Sequence, residues 1–253
     1  MCTVLLAYKK IPGWPLVVAN NRDEFFSRRA LPPRVYVNRE ESLNRRWIAS
    51  CDLTGGGSWW GCNSDGLPVW LTNRWTEAEF ATERRSRGEI VTELLRCSDP
   101  AEARRQLEKL CDGATFNPFN IIIAARASAF FAGNFPKLHF SPLAPGYHYL
   151  GNGQLSGCSS FKAKTARRLF AGFSGKESLA KTLSIFRQAL RTPLPQDSIP
   201  PQGFNVKFDG YGTTSSLLLA LPETDASSLK LHYCAANPLY ADYRDYSSLG
   251  LLL

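Results

Sequence analysis

Two hydrophobic rhythms alternate along this chain, and their order limits the fold more than any single motif does. Residues 3–8 and 16–19 are continuous apolar runs of strand length, and Ile11-Pro12-Gly13-Trp14-Pro15 between them reads as a turn. The pattern predicts a buried hairpin at the N-terminus. Residues 28–46, rich in Arg and Pro, read as surface loop. Strand signals return at 58–61 and 67–71, on either side of the turn residues Asn63-Ser64-Asp65-Gly66. From Ser86 the period is helical, with Ile90, Leu94 and Leu95 on one face; Ser98-Asp99-Pro100 ends that helix and starts another carrying Ala103, Leu107 and Leu110. Residues 120–125 and 129–132 predict a strand pair. Helices are expected at about 160–172 and 176–191 from the same periodicity. Pro193-Leu194-Pro195 closes that block, and strands follow at 215–221 and 229–234. Strands and helix pairs therefore alternate, and sheets covered by helix pairs bury all of these faces. No linker or repeat divides the chain, so one layered α+β domain over residues 1–253 is expected.

Composition excludes several classes of function. The chain has 253 residues, 44% of them hydrophobic and 12% aromatic, which is incompatible with disorder. No apolar run is long enough to span a bilayer, and the N-terminus lacks a signal-peptide layout, so a cytoplasmic protein with no transmembrane segment is expected. The net charge of +8 is spread over dispersed pairs such as Arg28-Arg29, Arg84-Arg85 and Arg167-Arg168. A nucleic-acid binder concentrates such charge on one face, so no nucleic-acid partner is expected. Of the seven cysteines, none forms Cys-x-x-Cys, and His139, His148 and His232 have no zinc spacing, so no metal site is expected.

Three groups of residues carry candidate chemistry. If Met1 is removed, the Cys2 thiol lies beside a free α-amine whose ordinary pKa is about 7.7–8.0. That amine can take the thiol's proton, which puts nucleophile and base in one residue. The bland reading is a cysteine that merely follows Met. Asn20-Asn21-Arg22-Asp23-Glu24 falls where the second strand should end; Arg22 or Asp23 there could hold the amine and tune the thiol. A solvated strand end explains the same residues. Asn73, closing Leu71-Thr72-Asn73, has an amide suited to stabilising an oxyanion, although such an Asn is usually a cap or turn residue. Trp59 and Trp60, with Trp70 and Trp75, read either as core or as walls of an apolar ligand pocket. Gly55-Gly56-Gly57 lacks the residues of a nucleotide cradle.

Met1-Cys2 followed by Ala19-Asn20-Asn21-Arg22-Asp23-Glu24 resembles the start of the NRDE-domain family, also called the transport-and-Golgi-organisation family. The likeness runs over nearly the whole chain: Asp52 with Gly56-Gly57-Ser58-Trp59-Trp60-Gly61, then Leu71-Thr72-Asn73, Ser86-Arg87-Gly88, Asn117-Pro118-Phe119-Asn120, Pro145-Gly146 with Gly151-Asn152, and Tyr211-Gly212-Thr213, all in order. That family resembles N-terminal-nucleophile (Ntn) hydrolases, which implies a four-layer αββα sandwich. The resemblance makes Cys2 the nucleophile, Asp23 the carboxylate holding its amine, Asn73 an oxyanion-hole residue and Asn152 a second polar site residue. Arg22 takes a place near the arginine that cysteine amidases put three residues before the Asp, where this chain has Asn20. Asn21, Trp59 and Trp60 are expected at the substrate. Many relatives have Arg after Tyr-Gly-Thr; here it is Thr214.

Two functions follow from the resemblance. One is a cysteine amidohydrolase of a small non-peptide amide, needing no cofactor. The other is a carrier of haem, lipid or an acyl-coenzyme on the same fold, its Trp and Arg residues holding a ligand that is acidic and partly apolar. A haem ligand would then be His139, His148, His232 or a Cys.

Overall fold

The computed structural model describes residues 2–38, 45–76, 80–153, 155, 160–193 and 203–253, which fall into two compact units. The first comprises Met1–Ser27, Pro145–Glu223 and Leu229–Ser247; the second comprises Arg28–Ala144, Thr224–Ser228 and Ser248–Leu253.

In the first unit, β1 (Cys2–Ile11) and β2 (Trp14–Phe25) form the expected hairpin, turning at Pro12-Gly13, where Gly13 has φ +75°. They join β10 (Gly146–Leu150), β11 (Tyr211–Leu221), β12 (Lys230–Cys234) and β13 (Arg244–Asp245) in an antiparallel sheet of order β10-β1-β2-β11-β12-β13. Helices α3 (Phe161–Ala171) and α4 (Leu179–Arg191) start at Ser160 and Ser178, each a serine whose hydroxyl accepts from a first-turn N–H. One sheet face packs Leu5, Ala7, Val17, Ala19, Leu218 and Ala220 against Ala163, Ala166, Phe186 and Leu190 of the helices.

The second unit holds β3 (Ala30–Val37), β4 (Arg46–Asp52), β5 (Trp60–Asn63), β6 (Pro68–Asn73), β7 (Phe119–Ala124), β8 (Ala129–Gly133) and β9 (His139–Pro142), ordered as a seven-stranded meander. Helices α1 (Arg87–Leu94) and α2 (Pro100–Gly113) begin at the N-caps Ser86 and Asp99. They bury Ile90, Val91, Leu94, Ala103 and Leu107 against Val69, Leu71, Ile121 and Ile123. Each unit is thus one antiparallel sheet with one helix pair.

Two expectations need correction. Residues 30–37 are not loop but the edge strand β3, and β4 follows from Arg46. Pro32 and Pro33 sit where the β3–β4 register shifts between Leu31 and Arg34. An edge strand with a bulge is where a sheet tolerates residues that donate no ladder hydrogen bond. Second, β2 does not end at Ala19 but continues to Phe25, so Asn20 to Asp23 lie inside a strand and are buried. Pro68 opens the central strand β6, the first-residue placement that proline allows. Leu194 and Pro195 lie outside the described residues.

Candidate functional site

The polar run of β2 defines the site. Antiparallel register sets Cys2 opposite Arg22 and Thr3 opposite Asn21. On the other flank, Arg22 faces Ser215 and Asp23 faces Thr213. Side chains alternate across a strand, so Thr3, Asn21 and Asp23 share the helix-facing side with Leu5 and Val17, while Cys2 and Arg22 share the opposite side. Asp23 is the next residue of β2 beyond the Cys2–Arg22 pair, on the side from which the Cys2 α-amine leaves the strand.

Asp23 is 1% exposed, so its charge needs partners inside the protein. It has them: Thr213 Oγ1 donates to Oδ1 at 2.7 Å, and Lys162 Nζ donates to Oδ2 at 2.8 Å. The same ammonium donates to Thr3 Oγ1 at 2.9 Å, and the Tyr211 hydroxyl donates to the Asp23 carbonyl at 2.9 Å. Burial pushes the Tyr211 phenol up, and the negative charges of Asp23, Cys2 and Glu24 push it further, so it stays a donor. Tyr149 is also raised, again mainly by burial.

Arg22 Nη1 donates to Thr214 Oγ1 at 3.1 Å, and that hydroxyl donates to the Arg22 carbonyl at 3.2 Å. Thr214 is the extra residue of a β-bulge in β11, which steps from Thr213 opposite Asp23 to Ser215 opposite Arg22. A bulge re-aims one side chain without breaking the sheet. Here it lays the Thr214 hydroxyl on Arg22. The Cys2 thiol is half-buried, and desolvation raises its pKa; Asp23 and Glu24 push the same way, while the positive N-terminus and Arg22 oppose them.

The remaining expected residues divide by unit. Asn152 lies two residues past Leu150, the β10 residue paired with Val4, and so at the Cys2 end of β1. Cys2, Arg22, Asp23 and Asn152 thus share one end of neighbouring strands. Asn21 is completely covered. Its amide donates to the Leu190 carbonyl at 3.0 Å and accepts from Ser216 Oγ at 2.6 Å, so it ties β2 to α4 and presents no surface to a ligand. Asn73 closes β6 in the second unit. Trp60 is also wholly covered there, its Nε1 donating to Ser50 Oγ at 3.0 Å, and Trp59 is 7% exposed. Asn21 and Trp60 therefore present no exposed surface in this structure. The glycine motifs are structural as well: a Cβ at Gly57 would stand 2.3 Å from the Gly88 backbone, and Asp52 accepts from the Thr54 and Gly55 amides while pairing with Arg28.

The sequence patterns give no role to Lys162 or Thr213, although Thr213 ends the segment Tyr211-Gly212-Thr213. Lys162 carried a subtler signal: it is in the first turn of α3 and on its buried face, where the helix dipole disfavours a cation unless a carboxylate answers it.

Among the described residues no group of three or more His, Cys, Asp or Glu could hold a metal ion. His148 and His232 are on β10 and β12, with three strands between them, and His139 is in the second unit with Nδ1 at the Lys137 carbonyl. No two of these imidazoles converge within a unit. Among the described residues no helix is long and apolar enough to cross a membrane.

The model of the family described as Transport and Golgi organisation 2 matches residues 1–226. The chain belongs to that family. The Transport and Golgi organization protein 2 homologs of Homo sapiens and Bos taurus are 28% and 27% identical over 165 residues, 61% of this chain. The match spans 58% of the length of these relatives. Among solved structures, the N-acylethanolamine-hydrolyzing acid amidase ortholog of Caenorhabditis elegans is similar with a TM-score of 0.59 at 13% identity, covering 88% of this chain and 95% of that one. A mutant conjugated bile acid hydrolase of Clostridium perfringens scores 0.57 at 10% identity, with 97% and 96% covered. Penicillin V acylase of Agrobacterium tumefaciens scores 0.56 at 11%, with 98% and 88% covered. These likenesses establish an α+β fold of the Ntn-hydrolase type for this Transport and Golgi organisation 2 member.

Proposed function

We propose that this chain is a cysteine amidohydrolase that cleaves a small non-peptide amide, with Cys2 as an N-terminal nucleophile once Met1 is removed. The observation that carries the reading is the buried Asp23, braced by Lys162 and Thr213 and standing one residue beyond the Cys2–Arg22 pair. A charged carboxylate in that place is suited to hold and orient the α-amine of Cys2. The names of the three similar structures, an amidase, a hydrolase and an acylase, agree with this chemistry.

The free amine accepts the thiol proton, and the thiolate attacks the amide carbon. The carbonyl oxygen takes up negative charge as the C–S bond forms, and Asn152, at the Cys2 end of β1, is the candidate donor to that oxyanion. The ammonium returns its proton to the amide nitrogen, the C–N bond breaks and the amine leaves. Water, deprotonated by the same α-amine, then cleaves the thioester and releases the acid. Burial raises the Cys2 thiol, so its proton must be taken by a neighbouring base, and the α-amine freed by loss of Met1 would be that base.

Intact mass before and after a chloromethyl ketone probe tests the reading. Loss of Met1 with a single adduct on Cys2, absent from Cys2→Ala, is expected, with turnover of a small amide lost in the same variant. Retained Met1, labelling spread over several cysteines, or turnover surviving in Cys2→Ala would sink it.

A further inference from the structure

We propose that the cavity at the end of β6, inside the second unit, is a binding site for a small aromatic carboxylate. The proposal stands apart from the amidase reading and asks nothing of Cys2.

Three of the ordered sequence motifs meet at this cavity. Asn73 closes β6, Arg87 opens α1, and Asn117-Pro118 leads into β7. The Pro118 carbonyl accepts from the Arg74 amide at 2.9 Å and from Arg87 Nη1 at 3.2 Å. One oxygen thus ties the strand end to the helix start. Asn117 clamps the backbone of Ala81, accepting from its amide at 3.0 Å and donating to its carbonyl at 2.7 Å. That clamp fixes the residue next to Phe80. The space enclosed is about 390 Å³, and its lining includes Asn73, Arg74, Trp75, Phe80, Arg87 and Pro118. This is the small end of the range for small-molecule sites.

The walls define the ligand. Trp75 is 67% exposed and Phe80 62%, so two large rings stand in water around one hollow. A single exposed ring needs no explanation, but two on a shared cavity leave apolar area for a flat ligand to cover. The charge is one-sided. Arg74 and Arg87 line the cavity, and among the described residues no Asp or Glu does.

The two arginines differ in what they already hold. Arg87 gives Nη1 to Pro118, and its guanidinium carbon lies 5.7 Å from the Phe80 ring centre, which steadies that ring. The Arg74 guanidinium lies 5.6 Å from the Phe135 ring centre and has no hydrogen bond or ion pair among the described residues. Its Nη1 is buried without a partner. Buried donors are nearly always satisfied, so an acceptor is missing here. A carboxylate supplies one: it is planar, singly charged and matched to the guanidinium fork. An attached ring then covers Trp75 and Phe80, and the volume limits the ligand to one or two rings.

Isothermal titration calorimetry with 2-naphthoate tests the site. The comparison probes are neutral 2-naphthalenemethanol, cyclohexanecarboxylate, which keeps the charge without an aromatic ring, and inorganic phosphate. Naphthoate should bind about tenfold tighter than each, or more. Glu77 and Glu79, outside the described residues, are present in the protein tested, so the charge comparison includes them. Arg74→Gln should weaken naphthoate binding about tenfold, the loss of one charge-assisted pair. Trp75→Ala, at an exposed position, should keep the fold by circular dichroism and weaken binding about three- to tenfold. Arg187→Gln, on α4 of the first unit, should leave binding unchanged. Naphthoate binding no tighter than 2-naphthalenemethanol overturns the cationic half of the proposal. Binding equalled by cyclohexanecarboxylate or phosphate overturns the aromatic half. Binding unchanged in both Arg74→Gln and Trp75→Ala, or weakened as much by Arg187→Gln, puts the probe elsewhere and overturns the site.

Discussion

The two units follow one plan, a sheet with a helix pair, but their central strands differ in how much polarity they bury, Thr72 and Asn120 being the polar residues buried in β6 and β7. In the second unit β6 and β7 carry Val69, Trp70, Leu71, Ile121, Ile122 and Ile123, all buried and apolar. In the first, the central strand β2 begins just as apolar, with Leu16 to Ala19, then buries Asn20, Asn21, Arg22 and Asp23 in succession. Apolar central strands gain stability from burial alone. A buried polar run is tolerated only if each group finds a partner, and a partner lost leaves a group stranded. The partners here come from β1, β11, α3 and α4, so four elements must be in place before the whole run is satisfied. That run is where the proposed function puts its chemistry.

This contrast is broken most directly at Asp23. Asp23→Ala leaves Lys162 buried without its counter-ion, and removing one member of a buried pair costs about 3–5 kcal/mol. A large fall in melting temperature is expected together with loss of selective Cys2 labelling. Leu107→Ala in the second unit opens a cavity among Ile90, Leu94 and Phe119 and should cost about 2–5 kcal/mol. Its folded fraction should label Cys2 at the wild-type rate. If the two variants affect labelling equally, the division between a chemical strand and a packing core is wrong. Denaturant melts paired with alkylation rates separate the two outcomes.

A smaller effect sharpens the comparison inside the second unit, where polar burial also occurs but serves a turn. Asn63 donates to the Leu95 and Cys97 carbonyls at 3.0 and 2.7 Å and accepts from the Asp65 and Leu67 amides. Asn63→Ala strands two carbonyls and two amides near the end of α1, at a cost of about 1–3 kcal/mol. Stability should fall and Cys2 labelling should not change.

These differences decide what could be read from the sequence. Helices announced themselves, since Ser86, Asp99 and the buried faces of α1 and α2 follow local rules of capping and period. The strand at 30–37 was hidden because Pro32 and Pro33 contradict strand propensity, and only its place at the sheet edge makes them acceptable. The length of β2 was hidden for a related reason. Polar residues at 20–23 look like a strand end until their partners, up to 196 positions away in sequence, are known. Cys2 and Asp23 stood out because position and family pattern mark them. Asn21 and Trp60 shared those patterns, but only the structure shows that they are covered. Lys162 left almost no trace, because its meaning depends on a tertiary contact with Asp23.

The smallest expected effect concerns an acid on the surface of the first unit, the counterpoint to buried Asp23. Glu177, in the connection between α3 and α4, accepts from the Ser174 amide at 2.6 Å, the Ser174 hydroxyl at 2.7 Å and the Gly175 amide at 2.9 Å. The Ser174 hydrogen bonds lead in pulling its carboxyl from the ordinary 4.5 down to about 2. A carboxylate depressed in the folded state stabilises it fully above the unfolded value, and that contribution is lost as pH falls through the folded one. The window therefore runs from about pH 4.5 down to about pH 2, set by these two values. Glu177→Gln should melt slightly below wild type at pH 7, with the gap closing across that window, and Cys2 labelling should be untouched. A gap that stays constant down to pH 2 would show that the loop depends on the shape of the side chain and not on its charge.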